Sequence, residues 1–380
     1  MCKSDIHNFL KALPKCEHHM HLEGALTPAV LFKLAEKNQI ALPTDDAAFT
    51  TPETLAERYN HFTSLDDFLH YYYIGMSVLV DSADYEALAW DYFQHASADG
   101  LWHAEVFFDP QAHLDRGVSY EAVLSGFMAA RDRAQKELDI SSELICCFLR
   151  HLPASSALET FKSEPVQASI KSGKITGIGL DSSEAPFPPE LFTEVYEQAR
   201  ALGLRRTAHA GEEGPPAYIE RSLTDLKVER IDHGIHLVED ANLLQQIAER
   251  QILLTVCPVS NVLLRCVSSV SELPLRKFLD MDIRFSINSD VGQTVESTIP
   301  NLHKTDRFSL LLFQDPAYFG TKYILDNYCA VQEAFDFGAA EWEKICENAI
   351  HGSWCSAERK GAMLAKLKSV VRDQLATEAA

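Results

Sequence analysis

The stretch EHHMHLEG at residues 17–24 contains three histidines within four consecutive positions. Side chains on a strand alternate between its two faces, so His19 and His21 share one face while His18 points the other way. An HxH pair placed like this presents two imidazoles to a single metal ion. Taken alone, the pair is equally compatible with hydrogen-bonded core histidines, and it becomes informative only if further ligands lie nearby.

Further candidates stand where other short apolar stretches end: His209 and Glu212 in TAHAGEE, His233 in RIDHG, and Asp290 in SINSD. Each one alone could be a packed histidine, a carboxylate at a helix N-terminus or an N-cap. Imidazole nitrogens and a carboxylate oxygen together are ligands that Zn²⁺ accepts at about 2.0–2.2 Å. Zinc lowers the pKa of water to near 7, and Glu212 and His233 could then handle protons. The sequence predicts a hydrolytic zinc site.

These residues need a scaffold that brings distant strand ends together. Eight short β-branched or apolar stretches recur along the chain, at 15–22, 101–110, 143–150, 175–181, 205–211, 230–237, 252–258 and 282–290. Segments between them show helical periodicity, for example 27–38, 192–203 and 240–251. Alternating strands and helices form parallel sheets. Polar residues at so many strand ends favour a closed (β/α)8 TIM barrel over a doubly wound open sheet.

Extra helices are predicted at two places outside this alternation. The interval between the first two strands, roughly 25–100, has helical character and would cover one barrel mouth or flank. Helical sequence at 332–350 and a last helix near 356–375 follow the eighth strand. Because barrels of this kind reach such a length as one domain, residues 1–380 are predicted to form a single domain.

The amino-acid composition of the chain limits which partners it can bind and which cellular compartment it occupies. The chain has 34 basic and 55 acidic residues, for a net charge of −21, which disfavours nucleic acid and anionic membranes as partners. No apolar run is long enough to span a membrane. Nine cysteines without a CxxC pair, and no signal-like start, predict free thiols in a reducing compartment, the cytoplasm or the nucleus. Oligomeric state is not predicted.

Five longer motifs carry a family resemblance: PKCEHHMHLEGAL, TAHAGEEG, RIDHGIHL, CPVSNVLL and FSINSD. In this order they resemble the motif series of the adenosine/adenine deaminase family of zinc hydrolases. The resemblance runs from about residue 13 to the C-terminal helix. DDFLHYYYIGMSVL (66–79) and GLDSSEAPFPPELF (179–192) are similar to the fungal-type adenine deaminases in particular. The resemblance implies a barrel enzyme that acts on a small purine, with adenine as the expected substrate.

The resemblance also implies roles for individual side chains. The implied zinc ligands are His19, His21, His209 and Asp290. Glu212 is the implied proton donor to the purine ring, and His233 positions the attacking hydroxide. Ser182 lies where the family lines the purine pocket. Hydroxide adds to the ring carbon that bears the amino group, and the adduct expels ammonia, so that adenine gives hypoxanthine.

The sequence departs from the family at the last motif. The family places a second aspartate directly after the metal-binding one, but here Val291 follows Asp290, and the matching DPAYFG begins only at Asp315. Residues 291–314 resemble nothing else in the family. Valine codons begin with GT and glutamine can be encoded by CAG, so we hypothesise that this segment is a retained intron. A genuine surface loop is the alternative.

The insertion bears directly on function. Asp315 is predicted to bind the imidazole part of the purine, and it should neighbour Asp290 in a working enzyme. The chain as written is therefore expected to be weakly active or inactive. Three other functions stay open: deamination of adenosine, metal-dependent hydrolysis of a cyclic amide or phosphoester, and a non-catalytic binding role.

Five further residues are weaker candidates for a role in the site. Glu23 follows the metal pair and could either reach the rim of the substrate site or fix a turn. Tyr71, Tyr72 and Tyr73 are expected to serve in helix and core packing. Asn261, in the CPVSNVLL motif, is expected to be structural.

Overall fold

The computed structural model describes residues 5–291 and 323–378, and within them eight parallel strands form one sheet in chain order. The strands are β1 (Lys15–Glu17), β2 (Leu101–Phe108), β3 (Ser141–Leu149), β4 (Gly177–Asp181), β5 (Arg205–Ala210), β6 (Arg230–His233), β7 (Leu253–Val256) and β8 (Phe285–Ile287). All eight predicted strands are confirmed, with shifted ends. They are rich in buried β-branched and apolar side chains, as parallel strands covered on both faces require.

Backbone hydrogen bonds just beyond β1 and β8 close the sheet into a ring. The His21 amide donates to the Asp290 carbonyl at 2.8 Å, and the Asp290 amide donates to the His19 carbonyl at 2.9 Å. Met20 and Asp290 form the parallel bridge between these bonds. The predicted (β/α)8 TIM barrel is confirmed, and the open sheet is not formed.

Helices surround the ring. Those in the described ranges are α1 (His7–Ala12), α2 (Pro28–Asn38), α3 (Pro52–Tyr59), α4 (Leu65–Met76), α5 (Ser82–Ala98), α6 (Pro110–Leu114), α7 (Tyr120–Glu137), α8 (Ala154–Lys162), α9 (Glu164–Lys171), α10 (Thr193–Ala201), α11 (Pro216–Thr224), α12 (Ala241–Arg250), α13 (Pro258–Leu263), α14 (Leu275–Asp280), α15 (Ile324–Phe335), α16 (Ala339–Gly352) and α17 (Ala357–Glu378). None of these helices is long and apolar enough to cross a membrane.

The extra helices stand where they are predicted. Helices α2 to α5 fill the interval between β1 and β2, and side-chain caps define their starts. Thr27 accepts from the Val30 amide at the start of α2, and Ser64 accepts from the Asp67 amide at the start of α4. Apolar side chains of α4 line the pocket at the barrel mouth. Helices α15 to α17 follow the last strand.

A charged pair occupies the barrel interior below the site. Arg230 on β6 donates to Glu105 on β2, both are fully buried, and the Arg230 guanidinium lies 4.0 Å above the Trp354 ring. Arg230 holds the pKa of Glu105 well below its usual range, although burial acts in the opposite direction. Its Nε atom also lies 3.8 Å from Asp232 Oδ1, which links this layer to the strand ends above.

Most of the inserted segment lies outside the residues that the structure describes. Residues 292–314, which make up nearly all of the predicted insertion 291–314, lie outside the described residues, and so does Asp315. Val291 itself is described and buried, and it packs against Gly24. The retained-intron hypothesis, the role of Asp315 and the single domain over 1–380 stay predictions.

Candidate active site

The predicted ligands converge at the carboxyl end of the barrel. His19 and His21 follow β1, His209 lies on β5, and Asp290 follows β8. Nε2 of His19 lies 3.2 Å from Asp290 Oδ1, and Nε2 of His21 lies 3.7 Å from the same oxygen. The Nε2 atoms of His21 and His209 are 3.2 Å apart. All four side chains are buried, so the fold joins groups that are far apart in sequence.

These separations suit a metal ion. Four ligand atoms placed tetrahedrally about 2.1 Å from an ion lie about 3.4 Å from one another, close to the three measured distances. His19 Nε2 and Asp290 Oδ1 face each other at 3.2 Å in a buried setting, where a cation between them would bind both atoms. Burial and the neighbouring imidazoles lower the pKa of His209 well below its usual value, so this ring is neutral, as metal binding requires.

His233 lies beside the same cluster. A second possible ligand set, with ligand atoms all within 4.8 Å, is His19, His209, His233 and Asp290. Both ring nitrogens of His233 already have neighbours, since Nδ1 lies 3.1 Å from Asn261 Nδ2 and Nε2 lies 3.4 Å from Glu212 Oε2. These contacts favour the predicted position of His233 beside Glu212, and its role stays a prediction. Asn261, expected to be structural, contacts this ring through its amide and so helps to position it.

Hydrogen bonds behind the histidines fix their rings. Thr255 Oγ1 lies 3.0 Å from His19 Nδ1 and donates to Asp232 Oδ1 at 2.9 Å. The other oxygen of Asp232 lies 3.6 Å from His209 Nδ1. Such partners set the tautomer and orientation of a metal-binding histidine. Sequence reasoning missed Asp232, although it directly precedes His233 in RIDHG.

His18 faces away from the cluster, as strand alternation predicts. Its Nδ1 lies 3.0 Å from Ser286 Oγ and its Nε2 lies 2.8 Å from Ser353 Oγ. Both ring nitrogens are thus satisfied within the protein, and His18 is fully buried. The residue is a structural neighbour of the site.

Alanine variants of the three histidines in EHHMHLEG should differ in how much zinc they bind. We expect His19→Ala and His21→Ala to lose bound zinc, because each removes one of four ligands. His18→Ala is the matched control and should retain zinc, with reduced stability from the lost packing and hydrogen bonds. Metal analysis of the purified variants by atomic emission measures this. Zinc loss in the His18 variant alone would reverse the assignment of faces.

Three residues at the strand ends adopt a backbone conformation that side chains rarely take. The φ angles are +63° at His233, +69° at Asp290 and +74° at Ser182. A residue other than glycine held in this left-handed region costs of order 1 kcal/mol or more and persists only where its surroundings impose it. Such positions concentrate at functional sites, which agrees with the sequence-based choice of all three.

Glu212 is held by a second, fully buried glutamate. The carboxylate of Glu184 accepts hydrogen bonds from the backbone amides of Glu212 at 2.9 Å, Gly211 at 3.1 Å and Gly214 at 2.8 Å. Burial, with the nearby charges of Asp290 and Glu184, raises the pKa of Glu212 well above its usual value. A carboxyl group whose pKa is raised keeps its proton to higher pH, which suits a general acid.

The cluster opens into a pocket of about 400 Å³, counted with its open mouth. Its walls are His21, Leu65, Phe68, Leu69, Tyr72, Tyr73, Asp109, Asp181, Ser182, His209, Glu212, His233, Leu264, Asp290 and Val291. Ser182 lies in this wall, where it was predicted, and its Oγ lies 3.1 Å from Tyr73 Oη. The packing role expected for Tyr71, Tyr72 and Tyr73 is confirmed, since Tyr71 stacks on Phe49 and the other two pack against the hydrophobic core. Tyr72 and Tyr73 also line the pocket.

Glu23 stands behind the pocket wall. Its Oε1 accepts from the Asp109 amide at 3.0 Å and lies 3.0 Å from His113 Nε2. Of the two roles left open for Glu23, these contacts support fixing the chain. Burial raises the pKa of Glu23 and of Asp109 to about 7 each. Sequence reasoning missed Asp109 and Asp181, each of which stands at the end of a strand.

A buried His/Asp cluster at the carboxyl ends of barrel strands, with an acid beside it, defines a metal-dependent hydrolase of the TIM-barrel class. A profile described as adenosine deaminase matches residues 14–310. The chain belongs to the adenosine deaminase family.

Individual relatives support this assignment over nearly the whole chain. The adenine deaminase of Schizosaccharomyces pombe is 50% identical, with 99% of this chain and 96% of that protein covered. A crystal structure of adenine deaminase from Arthrobacter aurescens matches with a TM-score of 0.82 and 38% identity, covering 95% of this chain and 99% of that one. An amidohydrolase structure from Burkholderia ambifaria, with bound Zn, gives a TM-score of 0.79 and 25% identity, covering 99% and 98%.

Proposed function

We propose that the protein hydrolyses adenine to hypoxanthine and ammonia and uses one zinc ion per chain. The observation that carries this proposal is the 50% identity to adenine deaminases over almost the full chain. The pocket adds independent support, because it joins a His/Asp cluster that fits a metal ion to a buried acid. The Zn-bound amidohydrolase with the same fold supports zinc over other divalent ions.

The side chains divide the work between binding the ion and moving protons. His19, His21, His209 and Asp290 would hold zinc, which when bound supplies the Lewis acidity that makes hydroxide available from water near pH 7. Glu212 donates a proton to the ring nitrogen next to the amino-bearing carbon, so that negative charge does not build up on the ring. His233, oriented by Asn261, accepts a hydrogen bond or proton on the side of the attacking oxygen.

Adenine should be a better substrate than adenosine. The two adenine deaminases named above act on the free base according to their names. We expect kcat/KM for adenine to exceed that for adenosine by at least about 10²-fold, the scale at which pockets reject a poorly accommodated group. The assay follows loss of absorbance and release of ammonia with zinc-loaded protein. A preference for adenosine would reassign the substrate.

The cellular setting belongs to the same proposal. A free-base deaminase recycles or degrades adenine, so we place the protein in purine salvage and nitrogen release, in the cytoplasm and with the nucleus as a second compartment. The support is chemical: no disulfide joins the cysteines that the structure describes, which agrees with a reducing compartment. The partner is a small purine, and the strongly acidic composition argues against nucleic acid.

A further inference from the structure

Two buried carboxyl groups line the pocket but take no part in the proposed chemistry. Asp109 directly follows β2 and Asp181 ends β4, and each is only 2% exposed. The two carboxyl groups contact each other, and His21 Nδ1 lies 3.5 Å from Asp181 Oδ2. Among the described residues, no other side chain or backbone group donates to Asp109 Oδ1 or to either side-chain oxygen of Asp181. Since buried carboxyl oxygens are stabilised by hydrogen-bond donors, two carboxyl groups with so few donors in a pocket wall point to a ligand that supplies one.

The two carboxyl groups form one subsite. A ligand atom of each, together with one of His21, lies within 4.8 Å of the others, and His21 Nδ1 is 3.5 Å from Asp181 Oδ2. The subsite is therefore directly beside the predicted metal position. Tyr72 lines the same pocket, and its buried hydroxyl has no hydrogen-bond partner in the described part of the chain.

The position of the subsite relative to Glu212 decides which part of a purine can reach it. Glu212 follows β5 and His233 ends β6, whereas Asp109 follows β2, on the opposite side of a ring whose strands run in chain order. A flat purine with its amino-bearing carbon at the metal cluster and a neighbouring nitrogen at Glu212 directs its remaining edge toward the opposite wall. That edge includes the five-membered ring.

The chemistry of that edge distinguishes a base from a nucleoside. A free purine carries one N–H on its five-membered ring, and in a nucleoside the sugar replaces this hydrogen. Carboxyl oxygens are hydrogen-bond acceptors, so they match the free base and have no donor to meet in the nucleoside. A site built to bond one N–H rejects an analogue that lacks it far more strongly than an apolar wall can.

We propose that Asp109 and Asp181 accept the hydrogen bond from the five-membered ring N–H of the substrate and so select free purine bases over their N9-substituted derivatives. This inference rests on the proposed adenine deamination and adds the residues that determine its specificity. Asp109 is the cleaner of the two to test, because Asp181 also contacts a predicted metal ligand.

Adenine and 9-methyladenine measure the contribution of the N–H with little added bulk. For the wild-type protein we expect kcat/KM to be at least about 10²-fold higher for adenine. Asp109→Asn keeps the size of the side chain but exchanges one acceptor oxygen for a donor, so it should raise KM for adenine. The adenine to 9-methyladenine ratio should fall at least about 10-fold, whereas a purely steric exclusion of the methyl group would leave the ratio unchanged.

Asp99→Asn is the matched control. Asp99 precedes β2 at the other end of the barrel, where its carboxylate accepts from the Leu325 amide at 3.2 Å, so the change should leave the ratio as it is in the wild type. Metal content and thermal unfolding are measured for both variants. If Asp109→Asn does not fold, inhibition of the wild type by hypoxanthine and 9-methylhypoxanthine replaces it, with at least about 10²-fold weaker binding expected for the methylated product.

Three results would overturn the assignment. These are equal use or binding of the methylated and unmethylated compounds by the wild type, an unchanged ratio in folded Asp109→Asn, and a second divalent ion per chain bound by Asp109 and Asp181. Inactivity on both adenine and adenosine of the chain with and without residues 291–314 would instead count against the proposed function, and the inhibitor comparison would still test the subsite.

Discussion

Replacing Glu212 by glutamine should leave a folded, metal-binding protein that has lost nearly all turnover. The amide is almost the same size as the carboxyl group but cannot deliver a proton to the purine ring. General acid catalysis contributes about 10²–10⁴-fold to rates, and we expect a loss in kcat within or above that range, with KM changed much less. Steady-state kinetics on adenine, with metal content measured in parallel, checks this.

The neighbouring Glu213 provides the control. Glu213 has an exposed side chain and is not among the residues that line the pocket. Partial desolvation and the charge of Glu184 raise its pKa to about 7. Glu213→Gln should therefore keep activity within a few-fold of the parent, which separates the role of Glu212 from a general effect of carboxylates in this loop. Near-normal turnover of Glu212→Gln in an otherwise active protein would exclude it as the proton donor.

The fold was predictable because its signal is repeated. Eight apolar stretches that end in polar residues, separated by helical periodicity, agree with only a few architectures, and an error at one stretch would not change the outcome. Exact ends were less predictable. The first strand, expected over 15–22, is regular only at Lys15–Glu17 because beyond it the chain bends to form single bridges with Asp290 and Phe107.

The site was predictable where a residue type has few structural uses. Histidines in HxH, HAGE and DHG settings suggest metal or proton chemistry, and the fold brings all of them together. Asp109, Asp181 and Asn261 gave no such signal, since aspartate at a strand end and asparagine in a short helix are common. Their importance follows from three-dimensional contacts, namely the burial of the two aspartates together in the pocket wall and the contact of Asn261 with His233.

The pocket-lining positions of Tyr72 and Tyr73 were also not predictable from the sequence. Consecutive tyrosines on a helix point to different sides, and periodicity cannot tell a side that packs from one that faces a ligand. Only the placement of α4 over the barrel mouth separates Tyr71, which packs on Phe49, from its two neighbours in the pocket wall. Helices α2 to α5, which connect β1 to β2, are positioned by tertiary contacts that a single sequence does not reveal.

Deleting residues 291–314 should produce a large gain in activity. The deletion joins Asp290 directly to Asp315 and restores the SINSDDPAYFG pattern that the family resemblance implies. Misplacing a group that positions the substrate by about 1 Å can cost about 10²-fold, so we expect kcat/KM for adenine to rise by at least about that factor over the full chain. Both proteins should be compared at equal zinc content, because Asp290 is a predicted ligand in each.

Asp315→Asn in the shortened chain tests whether the gain has the expected cause. An asparagine of the same size should remove most of it if Asp315 binds the imidazole part of the purine, whereas a gain from better folding alone would survive the change. Sequencing the transcript tests the origin of the segment: a main messenger without the codons for 291–314 supports a retained intron, and one that contains them refutes it. Equal activity of the long and short chains would identify the segment as a tolerated loop, which surface insertions in barrels often are.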